Sequence, residues 1–76
     1  MKIKVQKSVL QYISVGKYIH GLQKEEVIGD YIIQDYITYS LENFSRWYLS
    51  FADRAEIIEP LELKEMVKTI LAKIII

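Results

Sequence analysis

The chain has no cysteine, one histidine and no surplus of either charge, and each shortage removes a class of function. Without cysteine there are no disulfides and no thiolate metal ligands, and His20 alone cannot anchor zinc without help from carboxylates. Ten Lys and Arg balance ten Asp and Glu, whereas a non-specific grip on phosphates comes from a cationic surplus. No stretch approaches the ~20 apolar residues of a membrane span, and nothing near Met1 reads as a signal peptide. A soluble, cytoplasmic chain without a membrane partner is the expectation. Catalysis finds no support either: there is no Ser/His/Asp or Cys/His set and no glycine-rich phosphate loop. The adjacent Glu25 and Glu26 would point to opposite faces of a strand. A non-enzyme with no cofactor and no metal follows.

What is present is 76 residues that are 51% hydrophobic, enough for one small core. A chain of this length buries only ~60% of its unfolded surface, so stability must come from dense packing or from a partner.

The hydrophobic pattern predicts an order of elements. Lys2 to Gln6 alternates polar and apolar side chains, the period of a half-buried strand. Ser8 is placed to cap a helix whose apolar side is Val9, Leu10 and Ile13, with Tyr12 as a further candidate, running to Gly16. Lys24 to Ile28 and Tyr31 to Tyr39 flank Gly29-Asp30, which suits a hairpin turn needing positive φ. A second helix starts at Ser40 with Leu41, Phe44, Tyr48 and Phe51 on one stripe and Trp47 at its edge. Ala55 to Glu59 reads as a strand closed by Pro60, which suits the first turn of a helix. Leu63, Met66, Val67, Ile70 and Ile74 then recur at helical spacing, with Glu62, Lys64, Glu65, Lys68 and Lys73 opposite them.

Strand, helix, strand, strand, helix, strand and an added C-terminal helix make an α+β domain, the ferredoxin-like βαββαβ arrangement with a four-stranded antiparallel sheet. Helices would cover one face of the sheet and leave the other open. Two sides of the third strand compete for the core: Ile32 and Tyr36 share theirs with Gln34 and Thr38, while Ile33 and Ile37 share theirs with Asp35.

Several motifs then fall in a recognisable order. His20-Gly21-Leu22-Gln23 precedes the hairpin, Arg46-Trp47-Tyr48-Leu49-Ser50-Phe51 ends the second helix, and Ala55 to Glu59 with Pro60-Leu61-Glu62-Leu63 opens the last one. In this order they resemble the WYL C-terminal extension, the WCX domain that ends bacterial WYL-domain transcriptional regulators. Ala52 stands where that family commonly has a helix-ending glycine, and Ile19 where it often has tryptophan. Trp47-Tyr48-Leu49 also spells the name of the neighbouring WYL domain, but the helical stripe around it makes the match a coincidence.

The resemblance implies that residues 1–76 are one domain from a longer regulator, with DNA bound only by an upstream helix-turn-helix not present here. The implied role is regulatory or oligomerising, and the implied partners are a second copy (a homodimer) or the WYL domain of the same regulator. Candidate contacts to a ligand or nucleic acid are His20, Gln23, Lys17, Arg46 and Trp47. Each also has a plain structural role: His20 and Gln23 can hold the glycine turn, Trp47 can be half-buried packing, and Lys17 and Arg46 can be solvated cations. Two other classes compete, a ferredoxin-like single-stranded nucleic-acid binder and a small-molecule sensor. The ribonucleoprotein signature that would favour the first is absent.

Overall fold

The computed structural model describes residues 1–76. Lys2–Gln6 (β1), Leu22–Ile28 (β2), Tyr31–Tyr36 (β3) and Ala55–Glu59 (β4) form one sheet in the order β2-β3-β1-β4. Every pairing is antiparallel. Four helices, α1 (Leu10–Ile13), α2 (Gly16–Ile19), α3 (Leu41–Tyr48) and α4 (Leu61–Ala72), complete an α+β domain. No helix is long and apolar enough to cross a membrane.

Register decides which face of the sheet is covered. Ile3 lies opposite both Gln34 and Ile57, and Val5 lies opposite Ile32. These residues and Tyr36 are buried, so β3 turns Ile32, Gln34 and Tyr36 inward and leaves Ile33 and Asp35 on the open face. Side chains two apart on a strand share a side, so the choice falls on the whole strand at once. The helical layer adds Val9, Ile13, Phe44, Tyr48, Leu63 and Val67 to the same cluster. The added helix α4 is therefore part of the core, packed on α3 and β4.

The first helix differs from expectation. In place of one run capped by Ser8, the chain makes a 3₁₀ turn at Lys7–Val9 and then the one-turn segments α1 and α2. Ser8 lies inside the 3₁₀ turn and caps nothing, and Gly16 opens α2 where it was expected to end the helix. Val9 and Ile13 are the buried anchors of this stretch, while Tyr12, Val15, Tyr18 and Ile19 are exposed. Ser14 and Val15, both weak helix formers, occupy the break, and Gly16 follows it.

Smaller differences follow from neighbours running out. β3 stops at Tyr36 and not Tyr39 because the first paired residues beside it are Lys2, opposite Asp35, and Leu22, opposite Tyr36. β2 begins at Leu22, two residues before the expected start. Ser40 caps α3 by accepting a hydrogen bond from the Asn43 amide at 3.1 Å. The helix ends at Tyr48, and Phe51, expected on its stripe, is buried from the following turn. With Ala52 in place of glycine, no left-handed residue ends the helix. The carbonyls of Trp47 and Tyr48 instead accept from the Ser50 and Phe51 amides, and a 3₁₀ turn spans Ala52–Arg54. Pro60 sits at the cap of α4, one residue before its first turn, and Ile74 lies beyond the helix, exposed.

Gly21 and Gly29 both have positive φ but differ in their surroundings. A Cβ on Gly21 would overlap the Ile37 carbonyl oxygen, whereas one on Gly29 meets nothing within 4 Å. Gly29→Ala is expected to cost about 1 kcal/mol, the left-handed penalty alone. Gly21→Ala should cost at least ~2 kcal/mol more because backbone must move. Urea midpoints of the two variants measure the difference.

Candidate functional site

Two of the five candidate residues, His20 and Trp47, meet where the turn after α2 approaches α3, and a third, Lys17, reaches the sheet. The His20 imidazole stacks on the Trp47 indole with centroids 4.4 Å apart and planes 16° from parallel. Phe44, Tyr36 and Phe51 meet the indole edge-to-face at 4.9–5.6 Å. Gly16 also comes close, since an added Cβ there would lie 2.7 Å from the indole nitrogen. Trp47 is thus a half-buried wedge between helices, with one ring face already stacked on His20 and so closed to a base.

Lys17 is the head of a polar chain. Its ammonium donates to Glu25 Oε1 at 2.9 Å, Gln34 Nε2 donates to Glu25 Oε2 at 2.9 Å, and the Tyr36 hydroxyl donates to Gln34 Oε1 at 2.8 Å. The chain runs from the surface into the core and ties α2 to β2 and β3. Gln34 is wholly buried, and no buried side-chain polar atom lacks a partner. A network so connected holds shape and leaves no buried polar atom without a partner.

The other two candidates stand apart. Gln23 Nε2 donates to the Gly21 carbonyl at 3.2 Å, bracing its own turn. Arg46 faces solvent and pairs with Glu42 one turn earlier at 3.3 Å. Glu25, Gln34 and Tyr36 were not picked out as site residues, although Gln34 is a polar residue between Ile32 and Tyr36 on one side of a strand. Glu25 lies opposite Gln34, Glu26 opposite Ile33, on opposite faces of the sheet.

Three groups of this region titrate away from their ordinary values. Burial lowers the His20 pKa below its ordinary value. Burial would raise the Glu25 pKa, but hydrogen bonds from Gln34 and Lys17 and the Lys17 charge outweigh it, leaving it lowered. Burial and then the Glu25 charge push the Tyr36 hydroxyl well above the usual phenol range.

The best-formed cleft lies elsewhere, among Val9, Tyr12, Ile13, Ser50, Phe51, Asp53 and Arg54. Its volume of about 250 Å³ is below the ~300–1,000 Å³ typical of small-molecule sites. None of the five candidates lines it. The open sheet face mixes signs: Lys24 pairs with Asp35 at 3.9 Å, and Lys4 covers the Tyr31 ring at 4.3 Å. Tyr31, the aromatic residue of that face, is already occupied by a cation.

A helical layer on one side of a four-stranded antiparallel sheet defines the class of domain. The family model for the WCX domain matches residues 2–75, and the chain belongs to that family, a WYL-associated regulatory domain. No curated protein and no solved structure matches the chain.

Because the folded forms of His20 and Glu25 both hold their protons less tightly than the unfolded forms, unfolding takes up protons and stability rises with pH. Stability is expected to fall as pH drops through 6.5, where the unfolded imidazole titrates. A second loss should begin below about 4.5 and continue through the lowered Glu25 pKa. Urea midpoints across this range should lose the first step in His20→Gln and the second in Glu25→Gln. Trp47→Ala should cost about 3 kcal/mol through lost ring packing, read by the same method.

Proposed function

We propose that this chain is the C-terminal regulatory and self-association domain of a bacterial WYL-type transcriptional regulator, non-catalytic and working in the cytoplasm. DNA contact belongs to an upstream helix-turn-helix, and the partner of this domain is a second copy or the regulator's own WYL domain. The WCX match over residues 2–75 is the observation that carries this reading. The ferredoxin-like arrangement is part of the same proposal. Its support is a strand order in which β3 lies between β1 and β2, the two strands joined through α1 and α2.

Uncovered apolar surface supports self-association. Val27 and Ile28 on β2, with Val15, Tyr18 and Ile19 beside and on α2, are more than half exposed, and a small monomer favours burying such surface. On α4, Leu63, Val67 and Ile70 are buried within the domain, while Leu61 and Leu71 remain exposed.

Sedimentation over a wide concentration range tests the reading: the mass should rise from one chain towards two. Single-stranded oligonucleotides at physiological salt should leave the fluorescence of Trp47 unchanged, since its ring is half-buried and stacked on His20. A monomer at every concentration, or saturable quenching by oligonucleotides, would count against the proposal.

A further inference from the structure

We infer that two copies of this chain join edge to edge along β2, antiparallel about a two-fold axis at Glu25, to make one continuous eight-stranded sheet. The inference rests on the self-association reading above and names the surface and the register.

β2 is an outer strand whose only sheet neighbour is β3, so its other side presents unpaired backbone donors and acceptors. From Gln23 to Ile28 every residue is exposed. Natural edges are usually shielded by proline, by a helix or by charge that repels a copy. This edge has no proline, and its charges attract a copy. With Glu25 on the axis, Lys24 of each chain lies opposite Glu26 of the other, which makes two opposite-charge pairs on the open face. Gln23 lies opposite Val27. Lys24 is 79% exposed, and its intramolecular partner Asp35 is distant at 3.9 Å, so its ammonium is available to the second chain.

Symmetry also sets the two Glu25 side chains against each other. Each is already held by its own Lys17 and Gln34 at 2.9 Å, which neutralises the carboxylate and draws it inward. Moving the axis by one residue to Glu26 would oppose two carboxylates that have no such partners and would forfeit both Lys24 pairs. Axes between residues set inward positions against outward ones and break the sheet faces. Charge and parity therefore select one register.

The other edge lacks this property. β4 carries Glu56 and Glu59 with no cation, and α4 packs against it. A two-fold joint at β2 closes the assembly at two copies and does not lead to a fibre.

The test uses sedimentation equilibrium of the full chain, with circular dichroism to verify folding. Lys24→Glu sets Glu against Glu at both outer pairs, and Glu26→Lys sets Lys against Lys. Each should weaken the dimer by about tenfold or more, because like charges directly opposed across strands are destabilising. An equimolar mixture of the two variants should regain wild-type affinity, since every outer pair in the mixed dimer is again Glu with Lys. Amide exchange in β2 should slow as the wild type associates. A wild type that dimerises while both variants dimerise equally well, or a mixture no tighter than its parts, would overturn the β2 joint and leave self-association standing. A wild type that stays monomeric would overturn both.

Discussion

Gln34 lies wholly out of water in the middle of the sheet, so both ends of its amide must find partners within the chain. The nitrogen donates to Glu25 on β2, and the oxygen accepts from Tyr36 two residues along β3. Glu25 in turn holds Lys17, which fixes α2 against the sheet. Leaving either end of the amide bare would cost about 1–3 kcal/mol, a large share of the stability of so small a domain. The side of β3 that faces the helices, the approach of α2 and the orientation of the β2 edge all follow from satisfying this one group.

Around that polar chain the aromatic side chains do the space-filling. Trp47 reaches across from α3 to lie over Gly16 and His20, which lets two one-turn helical segments serve as a covering element although neither is long enough to be stable alone. Tyr36 belongs to both systems, its ring edge-on to Phe44 and Trp47 and its hydroxyl on Gln34. The residues that looked most like ligand contacts are thereby occupied in holding the fold. Surface left for interaction lies at the sheet edge and on the outer sides of α1 and α2.

The elements with a strong repeating pattern were the most legible. The β1 alternation, the Gly29 turn, the Ser40 cap with its Leu41–Phe44–Tyr48 stripe, and the α4 face of Leu63, Val67 and Ile70 all appear where their spacing put them. The broken first helix did not, because Ser8 and Val9 read as a start signal whatever comes after, while the chain breaks at Ser14 and Val15 and Gly16 opens a second short helix beside Trp47. The candidate site was legible in part. His20 and Trp47 do meet, since the glycine turn and the end of α3 bring them together, while Lys17 reaches Glu25 on β2 and Arg46 points away because one step along a helix turns a side chain by about 100°. Glu25 and Gln34 escaped notice because each looks like an ordinary strand polar residue until the register sets them opposite each other.

Local chemistry in the sequence alone determined the class of domain, the order of its elements and, through the motifs around His20, Trp47 and Pro60, its family. Those properties depend on periodicity and on short-range turn and cap residues. The covered face of the sheet, the closed polar chain and the free β2 edge were decided only by the tertiary structure. Two alternating sides of β3 were nearly equal in hydrophobic content, and the register with β1 and β2 chose between them, setting Gln34 opposite Ile3 and opposite the Glu25 that satisfies it.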